Sequence, residues 1–369
     1  MAIDYQKRLT AIQRDLKEQN IDVAIITAPA NVFYYTGFNS DPHERFMALV
    51  LDNRNQRLSL FVPALDEQIA TDESFVKNII PISDEEDPFT KLKNELGATF
   101  QHFGLEMKTV SMFRHNQLKN VFPDASYSDI QPLINKQRLK KSREEIVYLQ
   151  EAVTIIENVL NEGIKKVKVG MTEAELAAEL EYLMKKFGAV GPSFSTIVLA
   201  GEKAALPHGR PGKRAFKKGD YLLIDFGVIT KSGYCSDITR TFIIGEATEE
   251  QRNIYDIVLQ SNRAGINAVK AGIPLKTFDI EARKVIIENG YGDYFNNRVG
   301  HGLGIEVHEE PSIHEHNDQI AEKGLLFTIE PGIYIPDYGG VRIEDEVYIN
   351  EDGAAEVLTT FPRDMQILK

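Results

Sequence analysis

Apolar residues recur at helical spacing from Tyr5 to Gln19, and Asp22 to Thr27 (DVAIIT) is an apolar run of strand length. RFMALVLD and RLSLFVPA predict two further strands joined by a turn at Asn53-Arg54-Asn55, and the chain turns helical from Leu65 onward. Pieces of this kind alternate to about Asn135, which predicts an α/β domain over residues 1–135. Lys136 to Lys141 then reads as a basic connector. Beyond it, Ser142 with Glu145 has the spacing of a capping box that opens a long helix, and a second domain is placed at residues 142–369. A second capping box, Thr172 with Glu175, opens a helix expected to stop at Gly188.

The second domain repeats itself. GIKKVKVG (Gly163 to Gly170) is echoed by GINAVKAG (Gly265 to Gly272), 102 residues later, and each copy leads into a helical segment ending at a glycine, Gly188 or Gly290, at equal spacing. Two readings are open: two similar helix-turn-helix pieces in one domain, or an internally duplicated domain. In the second, two pseudo-symmetric halves would meet at a cleft, a common location for a ligand.

Composition narrows the class. At 369 residues the chain exceeds the size at which a single core keeps growing, so two domains are expected. Hydrophobic residues make up 43% and charged residues 26%, and no apolar run approaches the roughly 20 residues of a membrane span. The opening residues lack the apolar core of a secretory signal, and Cys235, the single cysteine, excludes an intrachain disulfide; a cytoplasmic location is the expectation. A net charge of -13 argues against nucleic acid as a partner. Cys235 itself reads as a small buried side chain.

The chemistry lies in the strands. Asp225 (LLIDFG) and Asp237 (YCSDITRT) flank Lys231 symmetrically beside the turn residues Ser232 and Gly233, so a hairpin would set them across from each other. Glu330 and Glu344 do likewise about Asp337. Four carboxylates on facing strands would repel strongly without a cation among them. His301, between Gly300 and Gly302, adds a nitrogen where backbone can approach closely. Asp225, Asp237, His301, Glu330 and Glu344 therefore form a candidate metal set, suited to two divalent ions of borderline hardness such as Mn²⁺, Co²⁺, Fe²⁺ or Zn²⁺. Two such ions can share and activate a water, which is hydrolase chemistry.

These motifs, with NVFYYTGF (Asn31 to Phe38) and the junction residues Leu133 to Ser142, resemble the creatinase, aminopeptidase P and prolidase family along the whole chain. The resemblance implies an N-terminal α/β domain and a C-terminal pita-bread α+β domain with an internal pseudo-two-fold repeat. It implies a dinuclear exopeptidase that hydrolyses the Xaa-Pro bond of dipeptides or short peptides, Mn²⁺ as the first choice of metal, and a homodimer. Within it, Asp225 would bind one ion through both oxygens, Asp237 and Glu344 would bridge, and His301 and Glu330 would bind the other ion, with Glu330 also the general base. His308 would stabilise the tetrahedral intermediate, His208 would contact substrate near the leaving side, and Arg342 would orient the bridging carboxylates beside the substrate. A creatinase-like amidinohydrolase and a catalytically inactive binding protein are the alternatives, and the intact ligand set argues against both.

Departures from the family bear on substrate. Prolidases often place an arginine where Ser312 stands, to hold the carboxylate of a dipeptide, so the choice between dipeptidase and aminopeptidase stays open. Lys213 and Arg214, or His43-Glu44-Arg45, are candidates to replace it, though each reads more simply as a surface loop. His314 and His316, two apart in a polar loop, read as solvated rather than as a further metal site.

Overall fold

The computed structural model describes residues 3–97 and 100–369. Residues 1, 2, 98 and 99, which the sequence assigns to the first domain, lie outside the described residues. The chain divides into two compact units, Met1–Arg138 and Leu139–Lys369. No helix among the described residues is long and apolar enough to cross a membrane.

The first unit is built on a six-stranded mixed sheet. Its order is Ile79–Ile82, Arg57–Pro63, Ala48–Asp52, Val23–Ile26, His102–Leu105, Ser126–Asp129. The expected helix forms at Tyr5–Glu18, with Asp4 accepting from Lys7 N at its start. Ala48–Asp52 and Arg57–Pro63 pair antiparallel across the turn read at Asn53-Arg54-Asn55, because Asp52 Oδ1 accepts from Asn55 N and closes it. A buried carboxylate escaped the sequence reading. Glu106 accepts from Thr27 N, Ala28 N and Asn31 Nδ2 at 2.5, 2.8 and 2.5 Å, which ties the strand-to-helix turn before Pro29–Thr36, and the side chain of Asn31 within that helix, to one carboxylate.

In the second unit the helices come in two pairs, Arg143–Gly163 with Glu173–Lys186 and Glu249–Ala268 with Lys276–Glu288. Both expected capping boxes are present, and a third, Thr248 with Gln251, opens Glu249–Ala268. The repeat survives as backbone geometry: Gly170 and Gly272 have φ +88° and +90°, and Gly188 and Gly290 have φ +98° and +84°. Gly188 and Gly290 are left-handed stops directly after equivalent helices, and Gly170 and Gly272 are left-handed turn residues ahead of them; a Cβ is disfavoured at all four. At Gly290 a Cβ would meet no atom within 4 Å, so Gly290→Ala isolates backbone strain. The expected result is a loss of about 1–2 kcal/mol, read as a lower urea midpoint at unchanged slope.

Each helix pair covers strands that carry the site. The larger two sheets order Ile367–Leu368, Ile238–Ile244, Tyr221–Phe226, Ile197–Ala200 and Glu309–Ile313, Gly300–Gly302, Leu326–Ile329, Asp345–Ile349, Ala355–Val357, and two further strand pairs flank them in sequence. In Tyr221–Phe226 the even residues Leu222, Ile224 and Phe226 pack with the first helix pair. Tyr221 and Leu223 turn to the core shared by the second helix pair and second sheet. Strand alternation puts Asp225 on that inner face.

Candidate metal centre

Two hairpins deliver the four acids, in different registers. Tyr221–Phe226 pairs with Ile238–Ile244 so that Asp225 faces Thr239 and Phe226 faces Ile238. The outer bridge between Ile229 and Cys235 keeps that register, so the centre lies at Ser232 rather than at Lys231. Asp225 and Asp237 therefore share a face diagonally instead of standing opposite. The expected direct pairing is corrected by the turn, which closes with Gly233 N donating to Thr230 O at 3.0 Å. About Asp337 the pairing is symmetric, as expected. Leu326–Ile329 pairs with Asp345–Ile349, and Gly332–Ile335 with Gly339–Arg342, in one continuous register that sets Glu330 level with Glu344. Between these ladders Glu330 N turns to Val299 O at 2.7 Å and Glu344 N to Thr239 O at 3.1 Å, so each acid is tied to the neighbouring strand.

His301 enters from Gly300–Gly302, where glycine is a steric necessity. A Cβ on Gly300 would lie 1.8 Å from Thr328 O, and one on Gly302 would lie 2.2 Å from Glu310 O. His301 Nδ1 lies 3.1 Å from Gly302 O, a group that only accepts, so Nδ1 carries the proton. Nε2 consequently presents its lone pair to Glu330 Oε1 at 3.1 Å and to Asp237 Oδ2 at 3.6 Å. Acceptors at such distances call for a proton or a cation between them.

The electrostatics point the same way. Burial, reinforced by neighbouring acids, pushes the Asp237 and Glu344 carboxyls well above the usual range. Burial also raises Asp225, against the opposing charge of Arg342. Glu330 goes the other way: burial works to raise it, but a proton on His301 Nε2, in the place a cation would take, and the charge of Arg342 hold it below the ordinary value. Asp225 Oδ1, Asp237 Oδ1 and Glu344 Oε1 are buried with no protein partner, and donor atoms of Asp237, His301 and Glu344 all lie within 4.8 Å of one another. Buried orphan acceptors are rare because they are expensive. A set of them with an imidazole lone pair fits a hard or borderline divalent cation.

The surrounding groups hold these acids in place. Arg342 is buried, with its guanidinium on Tyr334 OH at 2.8 Å, Thr239 Oγ1 at 3.0 Å and Asp225. It thus touches Asp225 rather than Asp237 or Glu344, and reaches Glu344 only through Thr239, whose hydroxyl donates to Glu344 Oε2 at 2.7 Å. Behind Glu344, the buried pair Arg240–Asp345 (2.8 Å) joins the two sheets. Glu346, its carboxyl raised by burial to about 8, accepts from Asp237 N at 2.9 Å. Thr239, Tyr334 and Glu346 were not singled out in the sequence, since each belongs to the site only through partners more than seven residues away.

All eight sequence-predicted site residues line one cavity of about 790 Å³: Asp225, Asp237, His301, Glu330, Glu344, His208, His308 and Arg342. The His301 and His308 rings meet edge to face at 4.2 Å. Partial burial, with His301 and Arg298 close by, lowers the His308 imidazole to about 4, so it faces the cavity neutral. The proposed stand-ins for the missing arginine separate. Arg214 is committed to Glu202 and Asp220, and Arg45 to Asp84. Arg298, not singled out in the sequence, lines the cavity and donates to Ser312 Oγ at 3.1 Å.

A mixed N-terminal sheet domain, a duplicated helix-and-strand domain and a carboxylate-histidine cluster at its centre together define a pita-bread metallopeptidase. Residues 147–351 match metallopeptidase family M24 and residues 8–140 match the creatinase/prolidase N-terminal domain; the chain belongs to this family. It is 41% identical to the YkvY protein of Bacillus subtilis over 365 residues, 98% of this chain and 99% of that protein. Among solved structures, a recombinant prolidase from Thermococcus sibiricus superposes with TM-score 0.93 at 35% identity, covering 100% of both chains. An X-Pro aminopeptidase from Thermotoga maritima superposes with TM-score 0.86 at 33% identity, covering 96% of this chain and 99% of that one.

Proposed function

We propose that this peptidase is a dinuclear exopeptidase that cleaves the bond between an N-terminal residue and proline in dipeptides or short peptides. The observation that carries the reading is the group of buried, unpartnered carboxylate oxygens beside His301 Nε2, opening on a cavity of about 790 Å³. Asp225, Asp237, His301, Glu330 and Glu344 would hold the two ions. Mn²⁺ is the proposed native metal, with Co²⁺, Fe²⁺ and Zn²⁺ as substitutes. When bound, such a pair lowers the pKa of a shared water and polarises the scissile carbonyl. The active form is proposed to be a cytoplasmic homodimer.

The chain's own groups supply the remaining chemistry. Glu330, its ionised form favoured by the nearby charge of Arg342, takes the proton from the attacking water as general base. His308, neutral, offers an N–H to the oxyanion that develops on the scissile carbonyl. His208, on the loop after Pro207, lines the same cavity, from which it would contact substrate near the leaving imino nitrogen. Arg342 holds Asp225 in place from within the wall, a supporting role that narrows the substrate contact expected from the sequence.

Metal-stripped protein reloaded with Mn²⁺, Co²⁺ or Zn²⁺ should hydrolyse Ala-Pro, Ala-Pro-Ala or both, with Mn²⁺ restoring most activity. Product analysis by chromatography reads the result. Cleavage of neither substrate by the reloaded protein would remove the Xaa-Pro reading.

A further inference from the structure

A dipeptide presents a carboxylate within a few bonds of the scissile amide, and the apolar parts of a pocket cannot satisfy it. Among the described residues that line the cavity, two carry a permanent positive charge, Arg342 and Arg298. Arg342 is 3% exposed and its guanidinium is engaged by Tyr334, Thr239 and Asp225. Arg298 differs. Its side chain is exposed, Nη1 donates to Ser312 Oγ at 3.1 Å, and no carboxylate pairs with it among the described residues.

Its backbone is unusually well held for an exposed loop. On helix Lys276–Glu288, Arg283 grips the fully buried Asp279 with both Nε and Nη2, at 2.6 and 2.9 Å. The same guanidinium donates to Phe295 O at 2.9 Å and Asn297 O at 2.7 Å, while Asp279 Oδ2 accepts from Val299 N at 3.0 Å. Residues on both sides of Arg298 are therefore clamped to one ion pair. Ser312, which steers the guanidinium, stands directly opposite His301 in the ladder between Gly300–Gly302 and Glu309–Ile313. A planar fork is thus preset at the cavity wall one strand from the candidate metal ligand, with its remaining donors available to a planar anion.

We propose that Arg298, steered by Ser312, binds the terminal carboxylate of a dipeptide substrate and so sets a preference for dipeptides over longer or blocked peptides. The arginine is supplied by the segment before His301 instead of by position 312. This assignment rests on the Xaa-Pro exopeptidase reading above.

The test compares Ala-Pro with Ala-Pro amide, whose carboxylate is removed, using Mn²⁺-loaded wild type, Arg298→Ala and Arg298→Lys. Wild type should favour the free dipeptide in kcat/KM on the order of 100-fold, the scale of a charged hydrogen-bonded contact. In Arg298→Ala that ratio should collapse to within about 3-fold, mainly through KM, because uniform binding is what is lost. Arg298→Lys should recover only part of it, since an ammonium carries charge without the fork. A ratio unchanged in Arg298→Ala, or equal losses on both substrates, overturns the proposal. So does a selective loss of Asp-Pro relative to Ala-Pro at an unchanged dipeptide-to-amide ratio, which would assign the guanidinium to an acidic side chain. Wild type inactive on both substrates would instead strike the exopeptidase reading itself, taking this inference with it.

Discussion

Glu344→Ala should lose at least about 100-fold in kcat/KM, since outer partners of a metal site alone reach that range, and should bind less metal by elemental analysis. The reasoning is positional. Glu344 stands level with Glu330, takes a hydrogen bond from Thr239 on one oxygen and leaves the other buried and unpartnered. Removing it takes away one of the proposed ligands, with its unpartnered oxygen. Asp237→Ala should behave alike, because Asp237 Oδ1 is also buried without a partner. The same assignment predicts a stability signature: metal at about 1,000 times its Kd adds about 4 kcal/mol to the wild type, read as a higher thermal midpoint. That increment should shrink sharply in Glu344→Ala. Full activity with full metal occupancy in this variant would sink the assignment.

His308→Ala should have the next largest effect, with the opposite metal behaviour. His308 touches the His301 ring but offers no donor atom to the cluster of Asp237, His301 and Glu344. Metal content should therefore stay at the wild-type level. The predicted loss falls on kcat, by about 100- to 1,000-fold, or about 2.7–4 kcal/mol, as for a missing oxyanion donor. A change confined to KM would make His308 a binding residue, and loss of metal would make it a ligand.

How much of this was readable in the chain differs by scale. Capping boxes at Ser142 and Thr172 and the glycines 102 residues apart are local signals, governed by neighbouring backbone, and they appear in the structure where they were read. The hairpin about Asp337 was equally plain, because two ladders share its register. The hairpin between Asp225 and Asp237 shifted by one position, since symmetry of the acids does not set register; the hydrogen bonds of the turn do. Least readable were the supports. Arg240 meets Asp345 and Arg342 meets Asp225 across more than a hundred residues, and no spacing in the sequence marks such pairs. Arg298 was hidden differently: in NNRVG it looks like loop, and only the Asp279–Arg283 clamp makes it a fixed group.

Cys235 joins the loop that follows His301, through its N–H to Gly304 O at 2.7 Å and its thiol to Ile305 O at 3.2 Å. The side chain is buried and its thiol is pushed up far beyond the ordinary range, chiefly by burial. Very little thiolate exists at neutral pH, so alkylating or oxidising reagents find no nucleophile while this contact is closed. The rate at which Cys235 is labelled then measures how often the segment between His301 and His308 detaches, a local clock for breathing of the active-site wall that needs no added probe.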